Sequence, residues 1–351
     1  MTGQAPVVAS VPVADGQISE NLSPHIISVV IPVYGGEKTL AGVIDEIAPL
    51  TARSTTPDGH SFMVDEVVVV FDNGRDKSPA VIRGLTEKYP FVRSVWLSRN
   101  YGQHAATLAG MASTGGEWIV TLDEDGQHDP ADIALLLDTA MREQAPLVYA
   151  KPTNKPSHGF LRNAASRGAK WLLVLLFAGS HAPDYQSFRL VLGSIGRGVA
   201  AYSGSGVYLD VALGWVAPPA ATADITLRDE GARVSGYSSR RLVSHFWRMV
   251  LTSGTRGLRI VSFIGALFGL VGLALTLFIV ISRFTTNTVP EGWASTIVIV
   301  LLSSGAILIS LGIIAEYIGV SVNMSLGKPP YLITSDPQDG PLGRRKPTLQ
   351  L

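Results

Sequence analysis

The chain has 351 residues, with 28 lysines and arginines against 28 aspartates and glutamates, and no cysteine. A net charge of zero argues against a general nucleic-acid binder, which needs an excess of cations to meet phosphates. The missing cysteines exclude disulfides and thiolate metal sites, so any metal must sit on oxygen or imidazole ligands.

The chain opens on a 25-residue stretch, "MTGQAPVVASVPVADGQISENLSPH", that lacks a basic segment followed by an apolar core, so it reads as a flexible tail and not a secretory signal. From residue 26 the pattern is regular. "IISVVIPVY" (26–34) is β-branched and apolar and predicts a buried strand. "EKTLAGVIDEIAPL" (37–50) places Leu40, Val43, Ile44 and Ile47 at helical spacing. A polar loop leads to a strand at 65–72, a helix at 78–89, a strand at 91–98 and a helix at 102–114. A strand at 117–123, a helix at 130–143 and the strand "PLVYAKP" follow. Strands alternating with helices predict an α/β domain over 26–227, a mostly parallel Rossmann-like sheet with helices on both faces.

Beyond this domain the composition changes. Residues 228–259 hold seven arginines interleaved with Tyr237, Phe246, Trp247 and Met249, the pattern of a basic segment lying along lipid headgroups. Two uncharged runs follow, 260–282 and 294–315, each long enough to cross a bilayer as a helix, so residues 260–320 predict a membrane hairpin. Arg240, Arg241, Arg248, Arg256 and Arg259 precede the first run, and Lys328, Arg344, Arg345 and Lys346 follow the second. The positive-inside rule then puts both termini, the α/β domain and the 321–351 tail in the cytosol, beside the cytoplasmic membrane. "WLLVLLFAG" (171–179) is too short to span and reads as a core or interfacial helix.

Parallel sheets bind ligands at the carboxyl ends of their strands. Four loops gain weight from this rule: "YGGE" (34–37), "FDNGRD" (71–76), "SRNYGQH" (98–104) and "DEDGQHD" (123–129). No glycine pattern of a dinucleotide site or a P-loop follows the first strand. A calcium loop over 123–134 also fails, with His128 where glycine is needed and Ala134 where glutamate is needed. Asp123, Asp125 and Gln127 occupy alternate positions, and in an extended segment alternate side chains share a face. Three oxygen ligands would then converge on Mg²⁺ or Mn²⁺, an ion suited to bind a diphosphate and neutralise its charge as it leaves. Asp129 stands where it would cap the helix that begins at Pro130, and Glu124 is expected to face away from the metal edge. His104 has an equally good reading as a packing residue, His128 would point away from Asp125 and Gln127 in an alternating segment, and Glu316 is expected to order the cytoplasmic end of the second span.

The stretches "VVIPVYGGEKTL", "FDNGRD", "LSRNYGQHAATLAG" and "TLDEDGQHDP", in this order, resemble the family 2 glycosyltransferases of the GT-A type. The two apolar runs ending in "LGIIAEYIGVSVN" resemble, more narrowly, the polyprenyl-phosphate glycosyltransferases. That group includes the dolichyl-phosphate mannose synthases and the bacterial undecaprenyl-phosphate glucosyl and formamido-arabinose transferases. "SRNYGQHAAT" is more similar to the last of these branches. The resemblance covers residues 26–332 and implies inverting transfer of a sugar from a UDP- or GDP-linked donor to polyprenyl phosphate at the cytosolic membrane face. The lipid-linked sugar would serve envelope or glycan modification, and a dimer or tetramer is implied as plausible.

Carried over residue by residue, the resemblance implies that Pro32, Tyr34, Glu37, Asp72 and Asp123 meet the nucleotide. Asp123, Asp125 and Gln127 match its D-x-D-x-Q metal motif, with Asp125 and Asp184 (in "DYQSFRL") as the catalytic acids. Arg162, Arg189, Arg228 and Arg233 would handle phosphates of donor and acceptor. The chain departs from the family at "FDNG", where Phe71 replaces the first acid of D-D-G-S. It departs again at Glu124, the middle of a D-A-D, and at "RDEGARVSGY", which is longer and lacks a lysine. Two other readings stay open: a processive polysaccharide synthase, whose Q-x-x-R-W motif is missing, and a catalytically silent membrane anchor on the same fold.

Overall fold

The computed structural model describes residues 23–154, 186–204, 207–217, 220–228 and 292–339, with scattered positions between 265 and 285 also placed. Among these residues nine strands form one sheet: β1 (His25–Val33), β2 (Ser54–Thr55), β3 (Ser61–Phe71), β4 (Val92–Leu97), β5 (Trp118–Thr121), β6 (Leu147–Pro152), β7 (Arg189–Leu192), β8 (Ala221–Ile225) and β9 (Ile333–Thr334). The order across the sheet is β8-β6-β7-β5-β1-β3-β4-β9, with β2 paired to β3 outside that path. Strands β5, β1, β3 and β4 run parallel side by side, so their carboxyl ends open onto one edge of the sheet.

The helices are α1 (Leu40–Ile47), α2 (Ser78–Lys88), α3 (Gln103–Ala112), α4 (Ile133–Glu143), α5 (Gly193–Tyr202), α6 (Leu209–Val216) and α7 (Trp293–Ser325). Two apolar cores, one on each face of the sheet, follow from strand alternation. One packs α1, α2 and α4 against Ile27, Val29, Ile31, Val67, Val69 and Phe71. The other packs α3, α5 and α6 against Val30, Val68, Val70 and Ile119. In β3 the first core takes Phe62 and Val64 and then Val67, Val69 and Phe71. This change of parity has a cause: the β1–β3 register shifts between Ile27 and Ser28, so one extra β3 residue is accommodated as a bulge.

The α/β sheet covered on both faces agrees with the expectation, and Leu40, Val43, Ile44 and Ile47 are the buried face of α1 as the spacing predicts. Two details differ. Helix α1 begins at Leu40 and not at 37: residues 37–39 form a turn that leads into it, the Leu40 N–H bonding the Gly36 carbonyl at 3.1 Å, and Asp76 Oδ2 takes the unpaired Glu37 N–H at 3.1 Å. The sheet is also more mixed than expected. Strand β7 runs antiparallel between β5 and β6, and β9 closes the β4 edge antiparallel.

The second expected span, 294–315, is part of a longer helix. Helix α7 continues through "EYIGVSVNMS" to Ser325, since that stretch contains no proline and Gly319 alone does not end a long helix. It stops at Gly327, whose φ of +62° is the left-handed conformation common after a helix end. Its most apolar part, Leu302–Val322, is 21 residues with no more than two charges, long enough to cross a bilayer. Glu316, expected at the end of the span, therefore lies inside this apolar part. For the first span, 260–282, only scattered helical positions are described. A second membrane-crossing helix is thus not shown, and the 171–179 run lies outside the described residues.

Candidate functional site

Four loops meet at the carboxyl ends of β1, β3, β4 and β5, and carboxylates bond them into a closed ring. From the loop after β5, Glu124 accepts the peptide N–H of Tyr34 and of Gly35, each at 2.9 Å. From the loop after β3, Asp76 accepts the Glu37 N–H, and the Glu37 carboxylate takes the Lys77 N–H at 3.3 Å. Asp72 reaches to the loop after β4 and accepts the N–H groups of Tyr101 and Gly102 at 2.7 and 2.8 Å. Gln103, the first residue of α3, closes the ring by donating from Nε2 to Asp123 Oδ1 at 2.6 Å.

Each link has a local reason. Gly102 has φ +93°, which turns two successive N–H groups toward Asp72. Gly74 lies so close to Tyr34 that a Cβ there would stand 1.7 Å from the Tyr34 carbonyl oxygen. Asn73 takes the left-handed conformation, φ +53°, which asparagine tolerates better than most residues.

The acids of the ring differ in ionisation. Burial pushes the Glu124 carboxyl up to about 7 against the pull of its two N–H donors, and nearby Asp76 and Asp123 add to the rise. Burial likewise raises Asp72, opposed by the Tyr101 and Gly102 N–H groups and by Arg99. Asp76 lies below the ordinary range, because its bonds from Ser78 and Glu37 outweigh the cost of burial.

The expected metal edge needs a correction in its geometry. Strand β5 ends at Thr121, and residues 124–126 form a turn with Gly126 at φ +76°, so alternation in an extended segment does not align Asp123, Asp125 and Gln127. Instead Asp125 Oδ1 accepts the Gln127 N–H at 3.1 Å across that turn. Among the described residues no group of three or more histidine or acidic side chains is already placed to hold an ion. The donor set still suits a hard cation. The bonds to Asp123 come from neutral groups, Gln103 Nε2 and Ser187 Oγ, and three acids stand in succession at 123–125. Carboxylate oxygens such as those of Asp123 suit a divalent ion. Asp129 accepts the Ala131 N–H at 2.9 Å and caps the turn that enters α4, as expected. His128 is buried against Phe188, with ring centroids 5.1 Å apart. Its Nδ1 has no hydrogen-bond partner, and burial lowers its pKa.

A cavity of about 140 Å³ adjoins Asp123, lined among others by Pro32, Gln103, His104, Ser187, Tyr208 and Asp210. The ring of His104 packs against that of Tyr208, with centroids 3.8 Å apart. Arg189, expected among the phosphate ligands, reaches this wall as one half of a buried ion pair with Asp210, which also accepts the Tyr149 hydroxyl at 3.0 Å. Its charge is engaged inside the protein, so it is not an open phosphate ligand. Arg228 sits beside the loop after β5, its N–H on the Gln127 carbonyl, but its guanidinium bridges Glu46 and Asp129 at 2.7 Å each. Arg162, Asp184 and Arg233 lie outside the described residues. Sequence reasoning missed Asp76, Gln103 and Ser187 and gave Glu124 no role, because their bonds join residues far apart in the chain.

Residues 28–197 match the glycosyl transferase family 2 model. The undecaprenyl-phosphate 4-deoxy-4-formamido-L-arabinose transferase of Pseudomonas paraeruginosa is 28% identical over 88% of this chain and 89% of its own length. An uncharacterised Bacillus subtilis glycosyltransferase, YkcC, is 25% identical over 89% of this chain and 94% of its own. Among solved structures, the Mycobacterium tuberculosis glucosyl-3-phosphoglycerate synthase bound to UDP aligns at 20% identity, covering 66% of this chain and 80% of that one, with a TM-score of 0.46. Residues 28–197 therefore form a glycosyl transferase family 2 domain, set in a chain that resembles undecaprenyl-phosphate sugar transferases along most of its length.

Proposed function

We propose that this enzyme transfers a sugar, with inversion, from a nucleoside diphosphate donor to polyprenyl phosphate at the cytosolic face of the membrane. The observation that carries the reading is the closed ring of four loops around Asp123 and Asp125, at the strand ends where a parallel sheet receives its ligand. Likeness to undecaprenyl-phosphate transferases over 88% of the chain supports a lipid phosphate as acceptor. The exposed apolar surface of α7 supports a membrane location.

In this reading Pro32 and Tyr34 face base and ribose. Glu37 and Asp72 act through the backbone they hold, fixing the loops that the nucleotide enters. Asp123, Asp125 and Gln127 hold Mg²⁺ or Mn²⁺, which when bound supplies positive charge for the departing diphosphate. An oxygen of the lipid phosphate forms the new bond to the anomeric carbon while the bond to the diphosphate breaks, and the nucleoside diphosphate leaves with the electron pair. The lipid phosphate is already anionic at neutral pH, so no strong base is needed. Asp184 orients it or takes its residual proton. Arg162 and Arg233, with the other arginines of 228–259, hold the two anionic partners together by forked hydrogen bonds.

The metal edge is tested by measuring binding of UDP and GDP to the purified full chain, with and without Mn²⁺, alongside turnover of their sugars. The parent should bind one nucleotide more tightly with the ion. Asp125→Ala should lose that gain and on the order of 100-fold in turnover, the scale at which metal-site supports fail. Ion-independent binding with Asp125→Ala equal to the parent would overturn the assignment.

A further inference from the structure

Six residues after Ser325, where α7 ends, the chain is back on the sheet. Tyr331 packs against the same core that Tyr101 covers, and Ile333–Thr334 pair antiparallel with Leu97 and Trp96 of β4. The next residues tighten this return. Arg83 of α2 makes a two-fold bond to Asp336, Nε to Oδ2 and an Nη to Oδ1, both at 2.6 Å, and the Asp336 carboxylate is only 9% exposed. The Gln338 N–H adds a third bond to that carboxylate at 2.9 Å.

Two paths lead from this segment to the loops of the donor site. In the first, the Leu332 carbonyl accepts the Ser98 N–H at 3.0 Å. Ser98 in turn accepts a bond from Asn73 Nδ2 and shares a hydroxyl bond with Tyr101 at 2.9 Å. In the second, the Arg83 guanidinium lies 4.9 Å from the centre of the Trp96 ring, and Trp96 meets Phe71 edge-on at 5.3 Å. Phe71 immediately precedes Asp72. Its aromatic ring thus has a partner in this chain. Both paths end on the residues that Asp72 joins, 71–73 and 98–102.

We propose that residues 331–336 are a positioning strap for the nucleotide donor: the Arg83–Asp336 pair and the Leu332–Ser98 bond hold the loops after β3 and β4 in the conformation that receives the nucleoside diphosphate. The strap leaves the membrane helix directly, so it fixes the donor site to the membrane end of the protein. None of its residues touches the reacting atoms. Its effect falls on donor binding, not on the chemical step.

This inference rests on the glycosyl-transfer reading, and one experiment separates the two. Arg83→Met, Asp336→Asn and the double variant of the full chain are assayed in nanodiscs with the donor that the parent uses, and amide hydrogen exchange of residues 98–102 is followed in the same samples. The strap predicts a donor KM raised about five- to tenfold in each single variant. The double variant should be no worse than either single one, because both remove one interaction. The kcat and the acceptor KM should stay within about twofold, and exchange at 98–102 should quicken. An active parent whose variants keep the donor KM and the exchange rates, or lose kcat with KM unchanged, overturns the strap. A parent that turns over no donor overturns the glycosyl-transfer reading itself.

Discussion

Glu124 lies between two proposed metal ligands, yet its own bonds reach the backbone of a loop ninety positions earlier. A buried carboxylate holding two N–H groups fixes that loop, and its removal leaves both donors unsatisfied. Glu124→Ala should cost about 1–3 kcal/mol, read as a lower melting temperature together with weaker nucleotide binding. Glu124→Gln, which keeps one acceptor oxygen, should fall between. Glu66 offers a pH test away from the site. It accepts Ser28 Oγ and the Gly115 N–H at 2.7 Å and pairs with Arg93, and its pKa is lowered because these bonds outweigh burial. A depressed carboxyl stabilises the fold above its unfolded value near 4.5, and that stability is lost as pH falls through the folded value. Melting curves from pH 7 to pH 3 should show an acid-side loss that Glu66→Gln flattens. Asp123 and Asp125 were legible in the sequence because a strand end precedes them. The partners of Glu124 and Asp76 were not, since a side chain bonded to a distant peptide N–H leaves no local pattern.

At the scale of elements, the close approach of α3 to the sheet is set by one residue. A Cβ on Gly110 would stand 2.3 Å from Val30 Cγ1 and 2.9 Å from Val70 Cγ2, so the glycine lets the helix lie on β1 and β3. Gly110→Ala should destabilise by about 1–3 kcal/mol through overpacking, beyond the roughly 1 kcal/mol that alanine gains in a helix. Gly42 in α1 has nothing within 4 Å of the same added atom. Gly42→Ala should therefore stabilise, by up to about 1 kcal/mol, and thermal melts of the two variants should move in opposite directions. The central strands and α1 to α4 were readable because β-branched runs and helical spacing report burial directly. The reversed β7, "RLVL", was not, because an arginine and three apolar residues carry no sign of strand direction. The start of α1 was placed three residues early, because the turn at 37–39 leads straight into the helix and leaves no break in the apolar spacing.

For the whole molecule, the apolar 33-residue α7 and the soluble sheet have to be explained together. At about 1.5 Å per residue such a helix is longer than the roughly 30 Å hydrocarbon core. One end can therefore project toward the sheet, where the chain pairs with β4 within a few residues. Hydropathy alone revealed an apolar segment but not its length past Glu316, because a single charge does not end a helix. A sheet tied to a helix apolar enough to cross a bilayer would suit the proposed acceptor, whose phosphate stays at the headgroups and whose chain stays in lipid. The most direct measurement is therefore the product. The full chain in nanodiscs is given labelled UDP- and GDP-sugars, undecaprenyl phosphate and Mn²⁺, and the organic phase is analysed. The account predicts a sugar phosphate linked to the lipid, formed only with the ion and lost in Asp125→Ala. No lipid-linked product from any donor, or the same product from Asp125→Ala at the parent's rate, would contradict it.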